Sequence, residues 1–288
     1  MISLVKYTLI LLTLMIAPLN ANAVEALDFV IIQPGAPGNS AEAAPVMEAL
    51  AAYLQKKVGV PIQGQFFNEN EPALAYLAQK KAKWGIVSLG FYLANNQQYP
   101  MSAFASTRPN GLNKDTWHLL VNTTETSDWR SLNGIVAGNL LFSPEPVAHW
   151  TFGRSVTELP FNLKATPNTL QALRNVARGK AAGVILDQVQ LDTLKSLDTF
   201  KQLKLIHSSQ ALPTSPVVWF GVRDAHTEKL YTALAHMAND SEAKSLLELL
   251  RTQGFGAADT TLQEMTNPAP AQHCLAKLKK LKKYYEKY

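Results

Sequence analysis

Hydrolytic chemistry needs a nucleophile with a base in reach, and few residue spacings in this chain could supply one. Ser3 to Lys6 and Ser241 to Lys244 both spell S-x-x-K. The first falls in an apolar leader and the second opens an ordinary amphipathic helical stretch, so neither points to a serine activated by lysine. The elbow pattern G-x-S-x-G fails at Ile86, which stands where the glycine ahead of Ser88 is required. The six histidines are scattered, with no H-E-x-x-H and no pair at helical spacing. Cys274 is the single cysteine, so it makes neither an internal disulfide nor a thiolate cluster. It is either an inert thiol or one that pairs between molecules. These spacings nominate no catalytic residue, no metal ligands and no cofactor, which leaves an exported hydrolase the weakest of the functions open to the chain.

Side chains that could hold a small ligand gather instead at the ends of short apolar runs. Gln33 and Ser40 bracket the loop Pro34-Gly35-Ala36-Pro37-Gly38-Asn39, which either presents amides and hydroxyl to a ligand or simply joins strand to helix. Ser88 and Tyr92 flank Gly90 after another run, as ligand contacts or as a helix-start serine and a packed tyrosine. Ser143, Glu145 and His149 lie on or beside one helical turn, with His149 also readable as a surface or packing residue. Asp187 ends the run Ala182 to Leu186 and could bind an amine or hydroxyl, or cap the following helix. Trp219 could stack on a ligand or fill the core.

The elements that must position these residues alternate in type. Leu27 to Gln33 reads as a strand, followed by a helix in which Val46, Leu50 and Leu54 recur and which Gly59 and Pro61 stop. Ile62 to Phe67 and Trp84 to Leu89 read as strands around a helix from Glu71 to Lys83. Farther on, Ile135 to Ala137 is a strand, a helix starts near Ser143-Pro144, and Thr166 caps a helix that Pro167 begins and Gly179 closes. Val217 to Val222 is a strand before helices over Thr227 to Met237 and Ser241 to Thr252, the second capped by Asn239. Short strand–helix–strand connections imply parallel sheets covered on both faces.

Hydrophobic residues make up 47% and charged residues 17% of 288, enough for two packed domains and too apolar for disorder. Lys6, the run Leu9 to Ile16, Pro18 and Ala21-Asn22-Ala23 read as a signal peptide cleaved after Ala23, with an uncleaved anchor as the alternative. The formal charge of +5 is local: six lysines and one glutamate between Leu275 and Tyr288 supply it, leaving the body near neutral. That distribution argues against nucleic acid. The tail sets Leu275, Leu278, Leu281 and Tyr285 on one face, suited to a membrane surface or an acidic partner, or to docking on its own domain.

Four motifs in order resemble the phosphate/phosphonate-type periplasmic binding proteins of ABC transporters. They are PVMEALAAYLQKKVG (Pro45 to Gly59), ALAYLAQKKAKWGIVSLGFYL (Ala73 to Leu93), SLNGIVAGNL (Ser131 to Leu140) and NTLQALRNVARGKAAGVILD (Asn168 to Asp187). The resemblance implies an α/β, two-lobed type 2 periplasmic-binding-protein architecture, each lobe a mostly parallel sheet flanked by helices, with a two-crossover hinge near Arg108 to Trp117 and Pro213 to Trp219. It implies lobe 1 from 24–115 plus 214–265, lobe 2 from 116–213, and a linker with basic helix over 266–288. The implied function is non-catalytic capture of a small ligand in the cleft by a periplasmic monomer that serves a membrane permease. The alternative is a ligand-sensing or docking partner of a membrane receptor or redox system. Where binders of this type carry a Ser/Thr-rich turn, this chain reads Leu141-Phe142-Ser143-Pro144-Glu145-Pro146. Two prolines remove amide donors and Glu145 adds negative charge, so a neutral, cationic or zwitterionic ligand stands beside a phosphonate as an expectation.

Overall fold

The computed structural model describes residues 25–265. The leader with its cleavage point, Cys274 and the tail therefore lie outside the described residues. The run LDFVII forms β1 (Leu27–Ile32), and its side chains alternate between two buried clusters, Phe29 and Ile31 in one, Val30 and Ile32 in the other. A strand covered on both faces requires this pattern. In α1 (Ser40–Val58), Met47, Leu50, Leu54 and Val58 are buried along one face. Gly59, left-handed at φ 83°, ends the helix by turning its N–H onto Gln55 O. The chain continues through β2 (Ile62–Phe67), α2 (Asn70–Ala78), β3 (Ala82–Val87), α3 (Leu89–Asn95) and β4 (Met101–Thr107).

The first crossover, β5 (Lys114–Asp115), leads into β6 (His118–Asn122), β7 (Ile135–Gly138), α4 (Pro144–Phe152) and β8 (Asn162–Ala165). Then come α5 (Thr169–Ala177), β9 (Gly183–Leu186), α6 (Gln188–Leu194) and β10 (Leu203–Ser208). The second crossover is β11 (Leu212–Pro213). Beyond it, β12 (Pro216–Phe220), α7 (Ala225–His236), α8 (Lys244–Leu249) and β13 (Phe255–Ala257) rejoin the first half. One sheet runs β13-β4-β12-β3-β1-β2 and the other β10-β6-β9-β7-β8, while β5 and β11 pair with each other as a small ladder between them.

Two helix-flanked α/β lobes joined by paired crossovers are what the sequence led us to expect. The sheets, however, are mixed rather than mostly parallel. β1 pairs parallel with β2 and β3, and β7 with β8 and β9, but β12 and β6 run antiparallel to their neighbours. The reason is topological: outgoing β4 lies beside returning β12, and β6 beside β10, so each crossover pair runs in opposite directions. Two caps also differ from expectation. Asn168, not Thr166, caps α5 by accepting from Gln171 N, and Asp240, not Asn239, accepts from Glu242 N. In each case a carbonyl or carboxylate oxygen two or three residues ahead of the amide reaches it better than its neighbour could.

One face of the first sheet packs on α1, α7 and α8, and the second sheet packs a separate cluster against α5. A third cluster is shared. It runs from Val30, Ile32 and Phe91 of the first lobe through Trp117 to Leu141, Val147 and Phe152 of the second, with α3 lying on α4.

Candidate functional site

The carboxyl ends of the parallel strands in the two lobes face each other, and the loops there meet. On the first lobe, Asn39 caps α1 by accepting from Ala41 N (2.9 Å) and Glu42 N (3.0 Å), and its amide donates to Glu42 Oε1 (2.8 Å). Gln33 N donates to Phe67 O at 2.9 Å, and the Ser40 hydroxyl reaches Phe66 O at 3.3 Å, so both nominated residues are tied to β2. Ser88 caps α3 by accepting from Phe91 N at 3.3 Å. Tyr92 is buried in the shared cluster, with its hydroxyl 3.5 Å from Leu262 O.

Opposite these lie Phe142 and Ser143. A side-chain carbon on Gly35 would sit 2.5 Å from the Phe142 ring, and one on Gly90 would sit 3.0 Å from Ser143 Cβ. The lack of a side chain at both glycines therefore lets the second lobe approach the first there. Asn70 Nδ2 donates to Phe142 O at 2.7 Å, a direct bond between lobes. A groove of about 370 Å³ opens beside it, lined by Gly35, Asn68, Asn70, Phe142 and Pro167, with Glu69 and Glu71 at its rim.

Asp187 caps α6 in a reciprocal box, accepting from Gln190 N at 2.7 Å while Gln190 Oε1 accepts from Asp187 N at 3.3 Å. Asp115, in the hinge strand, approaches the same helix start. It accepts from Gln188 N at 3.0 Å, Thr116 N at 2.8 Å and Trp117 Nε1 at 3.2 Å. His118 Nε2 lies 2.9 Å from Gln188 Oε1. Burial, then repulsion from Asp115, push the Asp187 carboxyl up to about 7, and burial raises Asp115 as well.

Three nominated side chains are turned elsewhere. Glu145 Oε2 accepts from Val156 N at 3.3 Å, within its own lobe. His149 meets the Trp150 ring edge-on at 5.0 Å. Trp219 packs on Phe104 at 5.8 Å with Arg223 over its ring, on the outer face of the first sheet, because strand alternation gives Val218 to the shared cluster and Trp219 to the other. Sequence reasoning passed over Asn68, Asn70, Phe142 and Asp115. Only Asn39 carried a readable signal, three residues ahead of Glu42. Among the described residues no His/Cys/Asp/Glu group could hold a metal, and no helix is long and apolar enough to cross a membrane.

Two lobes that close on each other through strand-end loops are the frame of a binding protein, and residues 36–262 match a family described as ABC transporter, phosphonate, periplasmic substrate-binding protein. The chain belongs to this family. It is thus a periplasmic substrate-binding component of an ABC transport system, and the reading as a receptor or redox docking partner is not favoured. No curated protein matches the chain in sequence. Among solved structures it is similar to a Xanthomonas citri protein bound to chloride ion, at TM-score 0.65 and 16% identity over 83% of this chain and 95% of that one. It is also similar to a binding-protein component of an ABC phosphonate transporter from Pseudomonas aeruginosa (TM-score 0.60, 17%, 91% and 96%). A Prochlorococcus marinus protein in complex with methylphosphonate gives TM-score 0.60 at 12% identity over 83% and 96%. At these identities the likeness establishes the shared fold.

Proposed function

We propose that this family member captures one small molecule between its lobes and delivers it to a membrane permease without altering it. The observation that carries the reading is the facing of Gly35 and Gly90 with Phe142 and Ser143, beside a hinge ladder of only two residues on each strand. Groups placed on opposite bodies of a hinged pair can grip a ligand on closure and lose it on opening. The moving units are 24–115 plus 214–265 and 116–213, with Gln33, Ser88, Ser143 and Asp187 as the nominated contacts nearest the facing loops. The mature chain begins after Ala23, acts as a monomer and contacts no nucleic acid, and the lysines of 266–288 serve an acidic partner or membrane surface near the permease.

The test is small-angle scattering of the mature protein with and without a ligand found by thermal shift, since a molecule bound only by the native state raises its melting point. A smaller radius of gyration with ligand supports capture, and incubation should return the ligand chemically unchanged. A bound ligand that leaves the dimensions untouched, or that is turned over, sinks the proposal.

A further inference from the structure

The strand that carries the chain from the first lobe into the second is two residues long, and its side chains go opposite ways. Lys114 pairs with Asp259 in the first lobe, while Asp115 accepts from Gln188 N, in the second, at 3.0 Å. Just beyond, Trp117 N donates to Ser209 Oγ at 2.9 Å, and Trp117 Nε1 donates to Asp115 at 3.2 Å. The chain before the Lys114–Asp115 linkage is thus fastened to one lobe and the chain after it to the other, so turning of the lobes falls on that linkage.

Asp115 shares its anchorage with a second acid. Asp187 accepts from Gln190 N at 2.7 Å, so two half-buried carboxyl groups converge on the first turn of α6. Among the described residues no cation pairs with either. Lys114 is committed to Asp259, and Lys195 to Asp192 at 2.6 Å. His118 sets Nε2 on Gln188 Oε1 and Nδ1 on the Ser208 hydroxyl, both at 2.9 Å, partners that suit the neutral ring. Gln188 Nε2 in turn donates to Asp192 at 3.0 Å, and Leu212 and Pro213, which pair with β5 from the returning strand, are apolar. Like charges confined without a counter-ion favour the state in which one of them keeps its proton. Burial raises both carboxyls, and repulsion from Asp115 raises Asp187 further, in keeping with that geometry. Of the two, Asp187 is boxed in by Gln190 from both sides, whereas Asp115 rides on a ladder of two residue pairs.

We propose that Asp115 and Asp187 form a proton-operated catch on the hinge. With Asp187 protonated, Asp115 stays on α6 and the hinge strand keeps the lobes in the arrangement that sets Phe142 against Gly35. With both ionised, repulsion drives Asp115 off the helix and lets the lobes part. This inference rests on the hinged capture reading above and adds a control to it: mild acid favours the closed protein, and rising pH favours the open one.

Small-angle scattering of the mature protein without ligand, between pH 5 and pH 8, tests it. The radius of gyration should rise with pH, with a midpoint near 7. Asp187→Asn keeps a cap acceptor but cannot ionise, and it should abolish the rise and leave the compact value throughout. Asp115→Asn can still accept from Gln188 N and should do the same, so the result does not hang on one variant. His118→Gln removes the neighbouring ring's own titration and should leave the rise in place. Circular dichroism at each pH confirms that the species compared are folded. Parent dimensions that ignore pH, a rise that survives either aspartate variant, or a rise lost in His118→Gln overturns the proposal. Capture is judged separately, by compaction with ligand at constant pH. A protein that compacts with ligand but not with acid keeps capture and loses the catch.

Discussion

Asp187 shows how a single residue ties stability to pH. Its folded carboxyl titrates near pH 7, while the unfolded chain gives up the proton near the ordinary aspartate value of about 4. Between those values the folded state holds the extra proton, so this group's contribution to stability falls as pH rises from about 4 to 7 and then levels. Asp187→Asn keeps an N-cap acceptor and should remove that slope. Urea midpoints at pH 5 and pH 8 should differ less in the variant than in the parent, by on the order of 1–3 kcal/mol once converted. Equal slopes in both would show that burial and Asp115 do not raise the Asp187 carboxyl in the folded state. The helix starts at Ser88, Ser143 and Asp187 were legible in the sequence because each of these residues follows an apolar run and has side-chain chemistry suited to that position. The bond from Asn70 to Phe142 was not. Those residues lie 72 positions apart and in different lobes, so no local pattern encodes their meeting.

At the scale of elements, the helices were readable where burial is periodic and blurred where caps compete. α1 announces itself through Met47, Leu50, Leu54 and Val58, and its end through Gly59. Leu54→Ala should cost about 2–5 kcal/mol, because the side chain is fully buried and a cavity replaces it. A urea titration measures the loss. β3 lies close against β1: a side-chain carbon on Gly85 would fall 2.7 Å from Val30 O, so Gly85→Ala should destabilise the sheet although alanine is no worse a strand former. Strand direction was the feature the sequence misjudged, since mostly parallel sheets were expected and mixed ones are found. A run such as VVWFG has the same composition whichever way it enters the sheet, and only the crossovers decide that β12 returns antiparallel. Gly90 in α3 offers a test of lobe contact. Gly90→Leu places a bulky chain against Ser143 and should hold the lobes apart, read as an increased radius of gyration with little change in helix content.

For the whole molecule, the hinge and the shared cluster act together. Thr107 and Ser215 are bonded across the crossovers at 3.0 Å, Thr214 Oγ1 donates to Thr107 O at 2.6 Å, and Lys114 pairs with Asp259 of the first lobe. Each lobe keeps a cluster of its own, but apolar packing continues from Phe91 to Val147 in a third that both share. Calorimetric heating should therefore give one transition, with a van't Hoff enthalpy equal to the calorimetric one. Trp129→Ala, in the second lobe, should lower that single transition instead of splitting it. Two resolved peaks would show lobes that melt independently. That two α/β lobes exist could be read from motif order, but that they share a core could not, since it depends on which faces meet after folding.

The Phe91 to Val147 continuity also bears on how the protein answers to temperature. Parting the halves wets oily side chains, and the penalty for doing so shrinks as water cools. A cold cell would thus find the jaws gaping more often, with exchange of cargo eased at the very temperatures that slow most other steps of uptake.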